Sequence, residues 1–286
     1  MKEDDDKIDI SRLEVEGHKL LRRIHEHNQD YGGIFAEITG GQGSAKTSVM
    51  LDFINYTTLH HPDEKIFWSN SFRTPFQFVK IGEGKWTIWV EEDKDITFHD
   101  RTKDGKEIEL ENINYFSTFN QLYKRAKPGI LNAVYFGNRL HWMDFIEHVM
   151  RYYKWTHVYI DEMGEVCPAN QHGKLWKKID HFSNVAGEIR KCDMNVMYNT
   201  QSITDIDYRI RRKLMIKIFM PGAQKDGVTR VSQRAIDNLS QISSPRFGNY
   251  GYIDFRGTFG RTQFPTIYKP IRGFSVEARC NNGGEV

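Results

Sequence analysis

Short unbroken apolar runs recur along this chain, and amphipathic stretches separate them. Ile34-Phe35-Ala36-Glu37-Ile38, Ile66-Phe67-Trp68, Asn132-Ala133-Val134-Tyr135-Phe136, His157-Val158-Tyr159-Ile160, Asn195-Val196-Met197-Tyr198 and Leu214–Met220 read as strands, most of them buried on both faces. Between them, Val49, Met50, Phe53, Ile54 and Thr57 keep helical spacing. So do Leu140, Met143, Ile146, Val149, Met150 and Tyr153, and again Leu175, Ile179, Phe182, Ala186 and Ile189. Strands alternating with helices predict an α/β fold, a mainly parallel sheet covered by helices on both faces.

Three stretches depart from that rhythm. Residues 1–30 carry an amphipathic pattern over 11–28 (Leu13, Leu20, Leu21, Ile24) and predict a peripheral helix. Residues 82–116, with Trp86–Val90 and Ile108–Leu110 around Asp104-Gly105, predict a β-hairpin insertion. Residues 244–286, rich in Gly, aromatics and Arg, predict a β-rich extension packed on the core or on a neighbouring subunit. The segment 31–243 between them is the expected main domain.

Composition narrows the class. The 286 residues hold 40 Lys and Arg against 38 Asp and Glu, a net charge of +2, with 39% hydrophobic and 27% charged positions. That balance fits a globular protein and excludes a uniformly basic nucleic-acid coat. No apolar run is long enough for a spanning helix, and the N-terminus lacks the apolar core of a secretion signal. Cys167, Cys192 and Cys280 are too few for a disulfide or zinc framework, and the histidines, His60-His61 included, lack ligand spacing. The expected location is cytoplasmic. Trp86, Trp89, Tyr152, Tyr153 and Trp155 read as core or interface packing residues rather than a stacking platform for bases.

The chemistry concentrates at strand ends. Gly40-Gly41-Gln42-Gly43-Ser44-Ala45-Lys46-Thr47-Ser48 lies between a strand and a helix and follows the phosphate-loop pattern G-x-x-x-x-G-K-[ST], with Ala45 where the last glycine stands. Small residues let backbone N–H groups face phosphates, and the following helix offers its N-terminus. Lys46 is the residue to bridge phosphates, and Thr47 the one to ligate Mg²⁺. The apolar strand 157–160 delivers Asp161-Glu162 at its carboxyl end, where open α/β sheets bind ligands. Asp161 is assigned to the metal and Glu162 to the attacking water. The next strand ends in Asn199-Thr200-Gln201, and Gln201 is read as the side chain that senses the γ-phosphate. Acids and amide together favour water activation over phosphoryl transfer to a small molecule.

With these residues in place, the sequence resembles the additional-strand, catalytic-glutamate division of P-loop ATPases with a RecA-like core. Gly187-Glu188-Ile189-Arg190, Thr200-Gln201 and Ile206-Asp207-Tyr208-Arg209-Ile210-Arg211 are similar to the FtsK/HerA superfamily, which includes DNA-pumping, viral genome-packaging and Zot-like ATPases. The resemblance covers about residues 30–220. It implies ATP and Mg²⁺ as cofactors, double-stranded DNA as the partner that is moved, and a homo-oligomeric, hexameric ring with ATP between subunits. It also implies a trans-acting arginine, Arg190 or one of Arg209, Arg211 and Arg212. The alternative is a Zot-like assembly or secretion role, with a capsid or membrane component as partner. Charge is split along the chain. Glu83–Glu111 has ten acids and five bases, and residues 205–234 have eight bases and three acids. Lys213, Lys225 and Arg230 in the basic segment are candidate contacts to DNA phosphates.

Overall fold

The computed structural model describes residues 15–16, 32–69, 86–92, 94, 96–100, 103–110, 113–227, 229, 231–243, 249–255, 258–264 and 276–280. In chain order, β1 (Val15–Glu16) and β2 (Phe35–Thr39) precede α1 (Lys46–His60) and β3 (Lys65–Ser69). Then come β4 (Trp86–Glu91), β5 (Ile96–Asp100), β6 (Lys106–Ile108), β7 (Ile113–Phe116), α2 (Phe119–Arg125), β8 (Leu131–Tyr135) and α3 (His141–Tyr152). β9 (Thr156–Ile160), α4 (Gly173–Ala186), β10 (Met194–Thr200), α5 (Tyr208–Arg211), β11 (Ile216–Phe219) and α6 (Gln233–Ile242) follow. β12 (Asn249–Phe255), β13 (Thr258–Phe264) and β14 (Val276–Cys280) complete the series.

Eleven strands form one sheet in the order β1-β13-β12-β11-β2-β10-β9-β3-β8-β4-β7. From β11 to β7 every neighbouring pair is parallel. β2, β8, β9 and β10 are buried at every position, which is why they read as continuous apolar runs rather than alternating ones. The pleat sends alternate residues to opposite layers. Ala36 and Ile38 pack with Val49, Met50, Phe53 and Ile54 of α1. Phe35, Val158 and Ile160 pack with Phe145, Ile146 and Phe182 of α3 and α4. A smaller cluster joins Phe219 and Tyr252 to Ile236 and Leu239 of α6.

Two sequence expectations change. Val15–Glu16 of the expected helix is a short strand parallel to β13, its extended backbone completing the ladder on that strand; the rest of 11–28 lies outside the described residues. The hairpin over 82–116 is narrower than expected. β4 and β7 lie parallel in the main sheet, where Ile88, Trp89 and Val90 are buried, and only β5 and β6 form the inserted hairpin. The hairpin joins β14 in a separate three-stranded sheet. The deciding signal is Trp86-Thr87-Ile88-Trp89-Val90, a mostly apolar run suited to a strand with helices on both sides. Among the described residues no helix is long and apolar enough to cross a membrane. The aromatic residues also divide: Trp89 is buried in the core, whereas Tyr152 and Trp155 are exposed on this chain.

Candidate nucleotide site

The parallel register brings three strand ends together. β10 lies between β2 and β9, so the loop after β2, the acids after β9 and the polar end of β10 meet along one edge, the one formed by the carboxyl ends of these central strands. β2 runs into Gly40, where a side chain is excluded, because a Cβ would come within 2.6 Å of the Ser44 hydroxyl and 2.8 Å of Met220 Cβ. The loop turns back on itself through Ser44 N–H donating to the Gly41 carbonyl at 3.3 Å. Gln42 and Gly43 are exposed at its tip. Ala45 caps α1 with φ 69° and ψ 21°, in the left-handed region. The next residue, Lys46, is buried, and its ammonium donates to the Gly40 and Gly41 carbonyls at 2.9 Å each. Burial lowers the Lys46 pKa, and the nearby Glu162 and Asp161 carboxylates oppose that shift. Ser48 follows Thr47 in the first turn of α1.

The acidic turn faces this loop. Thr47 Oγ1 donates to Asp161 Oδ1 at 3.3 Å. Asp161 is buried, and its N–H continues the sheet by donating to the Ser69 carbonyl. Glu162 has φ 56°, also left-handed, and a short 3₁₀ turn, Met163–Glu165, follows it. Gln201 Nε2 donates to Glu162 Oε1 at 3.0 Å. Burial raises the Glu162 pKa and Asp161 adds to the rise, while Gln201 and Lys46 counter it. A carboxylate held above its usual range is a stronger base toward water. The sheet therefore gathers Lys46, Thr47, Asp161, Glu162 and Gln201 at one edge.

Two side chains at this edge were not singled out as site residues by sequence. Asn199 is fully buried, donates from Nδ2 to Asp161 Oδ1 at 2.5 Å and accepts the Glu162 N–H at 2.9 Å. It stands in the polar triplet Asn199-Thr200-Gln201 at the end of β10, two residues before Gln201. Arg139, on the loop after β8, donates to the Asp161 carbonyl and pairs with Glu165 at 3.1 Å. Its only sequence signal is a cation following a buried strand and Gly137-Asn138.

The remaining candidates scatter. Arg190 is exposed in a 3₁₀ turn before β10, and its carbonyl accepts from Gly33 at the start of β2, the opposite end of the sheet from the phosphate loop. Arg211, expected as an exposed finger, is instead buried. Its Nε lies 3.1 Å from Glu37 of β2 and its terminal nitrogen 3.3 Å from Asp226. The physical reason is Glu37, a carboxylate fully enclosed in the central strand that demands a cation. Lys213 and Lys225 are exposed but precede and follow β11, so they sit at opposite ends of the sheet and do not form one patch. Arg230 lies outside the described residues.

No metal-binding trio of His, Cys, Asp and Glu occurs among the described residues. The hydroxyl of Thr47 beside the carboxylate of Asp161 is an all-oxygen pair. It suits a hard cation such as Mg²⁺, which keeps waters and substrate oxygens and needs few protein ligands.

The sequence matches no protein-family model and no curated protein. The fold does match solved structures. The genome packaging NTPase B204 from Sulfolobus turreted icosahedral virus 2 in complex with sulfate is 11% identical, over 82% of this chain and 97% of that one, with a TM-score of 0.50. Its complex with ATP-gammaS gives 10% identity, 83% and 98% coverage and a TM-score of 0.48. The N-terminal domain of zonular occludens toxin from Neisseria meningitidis gives 14%, 78% and 93%, with a TM-score of 0.32. The fold is RecA-like, a mainly parallel sheet covered by helices.

Proposed function

We propose that this chain is a Mg²⁺-dependent ATPase that moves double-stranded DNA, as a packaging motor does, with ATP bound between subunits of a homohexameric ring. One observation carries the reading. A phosphate loop, a threonine–aspartate pair and a glutamate held by a glutamine occupy three adjacent ends of one parallel sheet. The likeness in fold to a genome packaging NTPase agrees with it.

The residues divide the work by position. Gly40 to Thr47 present backbone N–H groups and the N-terminus of α1 to the phosphates. Lys46 moves its ammonium from the loop carbonyls to the phosphate oxygens and offsets their charge. Thr47 and Asp161 would hold Mg²⁺, which neutralises phosphate charge when bound. Glu162 accepts the proton of the attacking water, and Gln201 fixes the direction of its carboxylate. Double-stranded DNA would be gripped through its phosphates, making binding independent of sequence and sensitive to salt. The expected setting is the cytoplasm, with a capsid or membrane component as the docking partner.

The test is phosphate release from ATP and Mg²⁺ by the full chain, with and without double-stranded DNA. The parent hydrolyses ATP and DNA stimulates it. Lys46→Ala loses both analogue binding and turnover. Glu162→Gln binds the analogue but turns over at least about 100-fold more slowly. Unchanged turnover in Lys46→Ala would overturn the site, and hydrolysis indifferent to DNA would favour the assembly role of Zot-like proteins over translocation.

A further inference from the structure

We propose that Arg139 and Asn199 are positioning residues that clamp the peptide group between Asp161 and Glu162 from its two sides. The inference rests on the ATPase reading and concerns what aims its glutamate. That one peptide carries two polar atoms, and each is held by a side chain from a different part of the sheet. The Asp161 carbonyl accepts from the Arg139 guanidinium, and the Glu162 N–H donates to Asn199 Oδ1 at 2.9 Å.

Both clamps have a second grip that fixes the surroundings of the peptide. Arg139 pairs with Glu165 at 3.1 Å, so one guanidinium ties the first residue of the turn to its last. Asn199 Nδ2 holds Asp161 Oδ1 at 2.5 Å, the same oxygen that accepts from Thr47. The Arg139 loop is itself anchored. Gly137 N–H donates to Glu91 Oε2 at 2.7 Å, and His141 lies 3.2 Å from Glu91 Oε1 at the end of β4.

A clamp is needed because of where Glu162 sits. Its φ of 56° is left-handed, which a residue with a side chain adopts only when its surroundings hold it there. If the peptide rotates, the carboxylate swings away from Gln201 and from the edge where the phosphate loop lies. Turning an amide plane leaves the phosphate loop in place, so nucleotide binding survives while the geometry of water attack is lost. A displacement of about 1 Å at a reacting group costs up to about 100-fold in rate.

The experiment compares Arg139→Gln, Arg139→Lys, Asn199→Ala, Asn199→Ser and the double variant Arg139→Gln/Asn199→Ala in the full chain. Readouts are kcat and KM for ATP with Mg²⁺, calorimetric binding of a non-hydrolysable ATP analogue, and thermal melting. Expected are a fall in kcat of about 10- to 100-fold for Arg139→Gln and Asn199→Ala, with KM and analogue affinity within about 3-fold. Arg139→Lys recovers part of the rate, since an ammonium still reaches one of the two acceptors. The double variant is no slower than about 3-fold below the slower single, because both changes release the same peptide. Multiplicative losses, unchanged kcat, or kcat and analogue affinity falling together would each overturn the clamp. Should either truncation fail to fold, Arg139→Lys and Asn199→Ser carry the same kcat-against-KM comparison. A parent chain without hydrolysis overturns the ATPase reading and the clamp with it. A hydrolysing parent with unaffected variants overturns the clamp alone.

Discussion

Ala45 stands where the phosphate-loop pattern has glycine, and its backbone adopts φ 69°, ψ 21°. Only glycine visits that region without a penalty, and alanine there costs about 1 kcal/mol. The loop therefore keeps the geometry that glycine would allow, and the methyl group is tolerated rather than required. Ala45→Gly should bind an ATP analogue as tightly as the parent or more so. It should also gain up to about 1 kcal/mol of stability, less what glycine returns to the unfolded chain. Calorimetry and urea denaturation read the two effects. Lost binding in a folded Ala45→Gly variant would mean that the loop depends on the methyl group itself. The sequence was informative here because the loop is local: strand, small residues, lysine and helix lie within 26 consecutive residues, from Phe35 to His60.

Contacts between elements were harder to read. Glu37, the lone charge in an apolar strand, already signals a buried partner. The partner, Arg211, is 174 positions away, and no local period connects them. The same network takes in Tyr198 of β10 and Asp226, which Lys217 and Thr229 also hold. Likewise Trp86–Val90 gives a strand but not its place in the sheet, because strand order depends on crossovers that periodicity does not encode. The alternating core, the small-residue loop between β2 and α1 and the acidic pair at the end of β9 were legible as local patterns; Arg139 was not, since its partners on the Asp161 turn lie beyond another strand.

Asp226 gives this network a pH dependence. Burial disfavours its charge, but hydrogen bonds from Lys217 and Thr229 and the charges of Lys217 and Arg211 outweigh that and bring its pKa down to about 2. A carboxylate depressed in the fold binds its proton more readily when unfolded, so its contribution is complete above the unfolded value, near pH 4, and disappears as pH falls toward 2. The shift corresponds to about 2 kcal/mol. Denaturation at pH 6 and pH 2.5 should show the parent losing most of that amount, over and above the loss common to both proteins, relative to Asp226→Asn. Equal acid sensitivity in the two proteins would place the titrating carboxylate elsewhere.

At the scale of the whole molecule, the charge split takes a different form from the one the sequence suggested. Of the bases in 205–234, Arg209 is spent on Asp207 and Asp180, and Arg211 and Lys217 on Glu37 and Asp226. The segment is thus partly internal wiring rather than a continuous basic lining, and Lys213 and Lys225 face opposite ends of the sheet. Of the four candidates for the trans role, Arg209 and Arg211 are held by acids, and Arg212 after α5 is exposed, as is Arg190. Arg190 sits at the start of β2, whereas the phosphate loop is at the strand's far end, roughly 16 Å away at 3.3 Å per residue. An arginine so placed cannot serve its own site and would act only on a neighbour's. Arg190→Ala alone and Lys46→Ala alone should then both be inactive while remaining assembled. Mixing them should restore turnover, because a subunit with an intact phosphate loop then receives Arg190 from a subunit whose loop is disabled. Recovery toward about a quarter of parent activity in an equal mixture is expected for random assembly, and a transition-state arginine is worth roughly 10³–10⁵ in rate, so the signal stands well above either variant alone. Phosphate release from the two proteins mixed before assembly measures it, and a mixture no more active than its components would remove Arg190 from the site.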